Sequence, residues 1–227
     1  MGGSQTGIME GAGLWQTIQA KIWDCQRCAS NLRVAIQIRQ RTPAPVTAVS
    51  LLLVGLAPPY EDNVCGRKVA NSATNDPRDN VRSFVEETLA QPWDELIAKG
   101  RFLIHAIKCA VVRNGHGSQD PPPPVVENCC NPVGFEPEFR FLHPPRVVAL
   151  EDMARRAILK TRGVIGPPQV TLTRKLPLLE GLWPEGIPCK LGNAAFILHP
   201  TRFPRTVAMK LAAATALKRA AQLMIPA

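Results

Sequence analysis

Residues Val46 to Asp62 read VTAVSLLLVGLAPPYED, and the first half of this stretch decides the fold. The apolar run from Val49 to Val54 stops abruptly at Gly55-Leu56-Ala57-Pro58-Pro59. The chain's only tyrosine, Tyr60, comes next, and then the acids Glu61 and Asp62. A run of this length bounded by turn residues suits a strand buried on both faces, as in a parallel sheet. In open α/β sheets, ligands collect just past the carboxyl ends of strands. Gly55 and Pro58 stiffen a loop there and let a flat ligand come close to the backbone.

Working outward, the pattern repeats. Gly7 to Ile22 has helical spacing, with Leu14, Ile18 and Ile22 on one face, and runs into Cys25-Gln26-Arg27-Cys28. A basic segment with Arg33, Arg39 and Arg41 precedes Pro43 and Pro45. Val81 to Lys99 is helical with a break at Pro92. Phe102 to Val112 reads as a second buried strand with polar breaks at His105 and Lys108. Arg113 to Pro124 is a stiff, proline-rich loop. Arg146 to Leu150 is a third strand, followed by a helix to Lys160. Val170 to Leu176 suits an edge strand, Ala194 to Leu198 a fourth strand, and Thr206 to Met224 a closing helix. Strands alternating with helices predict an α/β fold, namely three α/β/α layers around a central four-stranded, mainly parallel sheet. The expected organisation is a single domain over residues 1–227 with an N-terminal metal-binding segment.

The totals narrow the function. The 227 residues carry a net charge of +9 and are 45% hydrophobic, which fits a globular chain whose leading partner class is a polyanion. No long apolar span or secretion signal stands out, so the expected location is cytoplasmic, away from membranes. Seven cysteines in such a compartment read as metal ligands or buried thiols rather than as disulfides.

Two motifs carry chemistry. Cys25-x-x-Cys28 is joined later by Cys109 and by Cys129 or Cys130. Two close and two distant thiolates suit zinc or an iron–sulfur cluster, with [4Fe–4S] preferred because the distant pair is not itself CxxC. At the end of the last strand, His199-Pro200-Thr201 offers an imidazole to charge building on a substrate carbonyl. Arg202-Phe203-Pro204-Arg205 follows, an apolar wedge between cations that suits the gap left by an extruded base.

In their order, these motifs resemble the uracil-DNA glycosylase superfamily, particularly its iron–sulfur branch, known as family four. The matching pieces are Cys25/Cys28, GLAPP at Gly55–Pro59, IHAIKC at Ile104–Cys109, CNP at Cys130–Pro132, RVVALEDMARRAI at Arg146–Ile158 and HPT at His199–Thr201. The resemblance spans about Trp23 to Leu223. It implies a monomer that flips uracil out of single- or double-stranded DNA and hydrolyses its N-glycosidic bond. It also implies a [4Fe–4S] cluster on Cys25, Cys28, Cys109 and Cys130, the last chosen over Cys129 because Cys-Asn-Pro mirrors the family's Cys-x-Pro.

The chain departs from that branch at three positions. Leu56 stands where the branch has an acid in the first loop, Val69 where it has a stacking Phe, and His105 where it has the uracil-reading Asn. The catalytic acid therefore does not carry over. From the chemistry of the reaction, His199 is the expected electrophile for uracil O2, and Glu61 or Asp62 orients water or balances the sugar cation. Asp76 is an outside candidate. Gly55, Leu56, Ala57, Pro58, Tyr60, Val69 and His105 are expected to line the base pocket, with Tyr60 crowding the C5 edge against thymine. Thr201, Arg202, Phe203 and Arg205 are expected on DNA. His116 ranks low as a covalent trap for the sugar. The alternative is a non-catalytic binder of uracil or damaged DNA on the same iron–sulfur scaffold.

Overall fold

The structure, a computed structural model, describes residues 4–31, 34–39, 42–58, 80–111, 121, 123–129, 133–150, 152–161, 193–196 and 207–222. It groups into two compact units interleaved along the chain. The first takes Met1–Ala44, Ala57–Ala70 and His105–Leu142, and the second takes Pro45–Leu56, Asn71–Ile104 and His143–Ala227. No helix among the described residues is long and apolar enough to cross a membrane.

The second unit is built on β2 (Leu51–Gly55), β3 (Arg101–His105), β5 (Arg146–Ala149) and β6 (Asn193–Phe196), in the order β3-β2-β5-β6. β2 and β5 are parallel, with Leu52 opposite Val147 and Val54 opposite Ala149, and β5 and β6 are parallel from Arg146–Asn193 to Ala149–Phe196. The expectation of a mixed α/β fold with parallel strands holds. Leu51, Leu52, Leu53 and Val54 are all 0% exposed, as a strand covered on both faces requires. Leu51, Leu53, Val148 and Leu150 belong to one core cluster with residues of α2 (Asn80–Leu89), α3 (Trp93–Ala98) and α7 (Val207–Gln222). By the alternation of a strand, Leu52, Val54, Val147 and Ala149 face the other way. α6 (Asp152–Thr161) runs against β2 and β5, burying Ala154, Ala157 and Ile158.

The start of β3 is locked to the start of β2. The Gly100 carbonyl accepts from Ser50 N at 2.8 Å and from Leu51 N at 3.2 Å. Gly100 has φ +74°, and a side chain there would run into the Ala48 carbonyl oxygen. We expect Gly100→Ala to cost about 2–3 kcal/mol, through the left-handed backbone and the clash together. Urea unfolding checks this, with a lower midpoint at unchanged slope as the expected result.

Pro92 separates α2 from α3, as its position predicts. α2 closes through a bond from Gln91 N–H to the Glu86 carbonyl, with Ala90 in the left-handed region at φ 52°. Ala90→Gly is expected to raise stability by roughly 0.5–1 kcal/mol, read as a higher melting temperature. At the far end of the unit, Arg146 Nη1 and Arg101 Nη2 donate to the last carbonyls of α7, at Ala220 and Ala221. Burial lowers both guanidinium pKa values from the usual arginine value, and for Arg146 the neighbouring Arg101 charge adds to this.

The first unit holds α1 (Ser4–Trp23), a two-stranded antiparallel ribbon of β1 (Val34–Arg39) and β4 (Cys109–Val111), α4 (Pro123–Cys129) and α5 (Phe135–Leu142). Trp15, Ile18 and Ile22 form the buried stripe of α1. Leu14, which the helical spacing predicted on that stripe, is 55% exposed. Trp15 takes the inner position, where its ring lies 5.1 Å from that of Phe141 and its Nε1–H reaches the Thr42 carbonyl at 2.9 Å. The expected long strand from Phe102 to Val112 is divided. β3 ends at His105, and β4 resumes at Cys109 in the other unit's ribbon.

Candidate functional site

The first unit holds the described cysteines Cys25, Cys28, Cys109 and Cys129 on three parts of the chain. α1 ends at Trp23 in tight turns, with Cys25 N–H on the Ile22 carbonyl and Asn31 N–H on the Cys28 carbonyl, and these set the CxxC knuckle. Cys109 opens β4, where it pairs with Arg39 of β1. Cys129 closes α4, and Gly134 lies so close to it that a side chain on Gly134 would strike the Cys129 carbonyl. Cys28, Cys109 and Cys129 are buried and Cys25 is half-buried, all as thiols.

Burial pushes the Cys129 thiol up to about 12, and the neighbouring Cys109 and Cys28 thiols add to the rise. The Lys108 backbone N–H, donating to the Cys129 sulfur, and the Lys108 charge act the other way. Asn128 Nδ2 lies 3.9 Å from Cys28 Sγ. The three thiols therefore share one electrostatic neighbourhood. Among the described residues, however, no three His, Cys, Asp or Glu side chains stand together closely enough to grip one ion. By donor chemistry the thiols are soft ligands of the kind that zinc and iron–sulfur centres take.

A buried polar chain runs through Lys108, the residue before Cys109. Lys108 Nζ donates to Glu138 Oε2 and to the His105 carbonyl, and it lies 5.5 Å from the Phe135 ring centre. Gln19 Nε2 donates to the other Glu138 oxygen, while Gln19 Oε1 accepts from Thr42 N–H at 3.1 Å. Sequence reading missed Glu138 and Gly134 and noted Lys108 only as a polar break in an apolar run. That break was the available signal, since a lysine inside such a run needs a partner.

Of the strand-end residues, Gly55 is the last residue of β2, Leu56 and Pro58 are buried behind it, and Ala57 is half-buried. His105 is the half-buried last residue of β3. Tyr60, Glu61, Asp62, Val69, Asp76, His116, Cys130, His199, Thr201, Arg202, Phe203 and Arg205 lie outside the described residues. No protein-family profile matches the chain, and no curated protein matches it.

Proposed function

We propose that the chain is a DNA-repair glycosylase that flips uracil out of DNA and hydrolyses its N-glycosidic bond, leaving an abasic site. In this reading it is a cytoplasmic monomer whose second unit is a three-layer α/β/α domain around a four-stranded, mainly parallel sheet. A [4Fe–4S] cluster would be held by Cys25, Cys28, Cys109 and one of the adjacent Cys129 and Cys130. The observation that supports the reading is that Cys28 and Cys109 both act electrostatically on Cys129, the neighbour of the expected fourth ligand Cys130, although the three come from separate segments. Soft thiolates suit an iron–sulfur core as they suit zinc, and the resemblance to the iron–sulfur branch favours the former. When bound, the cluster supplies a cross-link between segments far apart in sequence.

The chain's own residues do the rest. β2 is buried on both faces and ends at Gly55, the kind of strand tip where α/β proteins gather ligands. Charge leaving on uracil O2 is met by His199. Glu61 or Asp62 orients the attacking water and balances the positive sugar, and Tyr60 shuts out thymine at the C5 edge. Arg202 and Arg205 hold phosphates on either side of the Phe203 wedge, consistent with a net charge of +9.

The test is base release from uracil-containing oligonucleotides, read as strand breaks after alkali. The expected result is cleavage at the uracil position, and intact strands on both single- and double-stranded DNA overturn the enzyme reading. His199→Ala is expected to lower the rate by roughly 10²–10³, the scale of a lost oxyanion donor. The buried apolar Leu56, where the branch carries an acid, favours one second reading, a uracil-binding protein without turnover. That reading expects uracil-dependent retention on DNA with no base released.

A further inference from the structure

We infer that Lys108 and Glu138 are positioning residues for His105: their buried ion pair fixes the turn at the tip of β3 and so sets the imidazole against the base. The inference rests on the glycosylase reading above, in which His105 lines the base pocket.

β3 ends at His105, and three residues turn the chain before β4 opens at Cys109. Two of them, Ala106 and Ile107, are 0% exposed, so the turn is buried. The third, Lys108, folds back across it. Its ammonium donates to the His105 carbonyl, three positions earlier, and to Glu138 Oε2 on α5. Gln19 of α1 donates to the other Glu138 oxygen and is itself held by the Thr42 N–H at 3.1 Å. The backbone at the strand tip is thereby tied to two helices, through a lysine and a glutamate whose side chains are 7% and 1% exposed.

Stability is a weak reason for such a pair, because apolar residues of similar volume often serve as well or better. Placement is a stronger one. Hydrogen bonds between charged groups are short and strong, so they hold a backbone carbonyl more firmly than neutral ones do. His105 is half-buried with its Nδ1 inside, so a shift of the turn carries the ring with it. A side chain that reads a base edge has to be held to within about 0.5 Å, and neighbouring hydrogen bonds are what hold it. The ion pair is balanced in charge, so its effect on His105 is one of position.

The experiment uses the full chain and a uracil-containing oligonucleotide, with protein in excess so that the rate of a single turnover is read. Urea unfolding is measured beside it. The unaltered protein, Lys108→Met/Glu138→Leu, His105→Ala and the triple variant are compared. We expect the double variant to unfold at a nearly unchanged midpoint and yet to release uracil up to roughly 10²-fold more slowly, the cost of about 1 Å of misplacement. In the His105→Ala background the same double change is expected to slow release no further, because the residue it positions is gone. A merely structural pair would slow both backgrounds alike.

A double variant as fast as the unaltered protein, or one that slows the His105→Ala protein by the same factor, overturns the inference and leaves the glycosylase reading in place. An unchanged rate in His105→Ala does the same. An unaltered protein that releases no base overturns the glycosylase reading, and this inference with it. Where His105→Ala releases too little to time, the four proteins are compared by affinity for uracil on a 2′-fluorinated sugar, which resists hydrolysis, with the same outcomes. Should the double variant fail to fold, Glu138→Gln takes its place. A loss of rate confined to the chain that keeps His105 supports the inference, and no loss or an equal loss in both backgrounds overturns it.

Discussion

Glu138→Ala is expected to lower the unfolding free energy by about 3–5 kcal/mol, because it strands a buried positive charge. The Glu138 carboxylate is 1% exposed and lies between two donors, the Lys108 ammonium and the Gln19 amide. Removing it takes the counter-ion from Lys108 and the acceptor from Gln19, and leaves a gap on the buried side of α5. The Thr42 N–H bond to Gln19 and the Trp15 bond to the Thr42 carbonyl then lose the anchor of their chain. By contrast, the double change Lys108→Met/Glu138→Leu removes the charges together and is expected to be close to neutral. Urea unfolding of the two variants side by side checks the argument. A Glu138→Ala midpoint no lower than that of the double variant would show that the pair is not buried as described.

Trp93→Ala is expected to cost about 3–5 kcal/mol as well, through lost burial and the cavity left behind. Its ring is 2% exposed, in the same core cluster as Leu51, Leu53, Leu103, Val148 and Leu217, so it touches the sheet's main packing face. The site has little scope to collapse. The Trp93 backbone N–H is held at 2.7 Å by Glu86 Oε1 of α2, which supplies the capping group that Pro92 lacks. Arg82 rests 5.9 Å from the ring centre and 3.4 Å from the same Glu86 oxygen. With α2 and α3 pinned this way, the hole stays open. Thermal melts read the cost, and a drop of under about 1 kcal/mol would place the ring outside the core.

These elements also show what the amino-acid order reveals and what it hides. β2 and β5 were legible because a strand covered on both faces needs an unbroken apolar run, a purely local signal. The break at Pro92 was legible for the same local reason. β1 was not. Its Val34–Arg39 residues include Arg39, and its pairing with β4 depends on residues more than 60 positions away, with an irregular step between Ala35 and Arg39. The extended loop expected over Arg113–Pro124 overlaps the start of α4, which begins at Pro123, since proline is tolerated in the first turn of a helix. The CxxC knuckle announced itself by spacing. Nothing in the local sequence marks which of the later cysteines lies near Cys28, and the Glu138 partner of Lys108 lies 30 positions away with no local mark.

The interleaving of the two units bears on any attempt to dissect the molecule. A fragment stopping at Leu142 would retain every segment of the first unit, including Cys25, Cys28, Cys109 and Cys129. It would also drag along β2 and β3 stripped of β5, β6 and the closing helix. The flank of Leu51–Val54 that normally bonds to β5 would then offer a bare, greasy ladder to other copies. Such a truncation belongs in inclusion bodies rather than in a spectrometer, so the thiol centre is best studied within the uncut polypeptide.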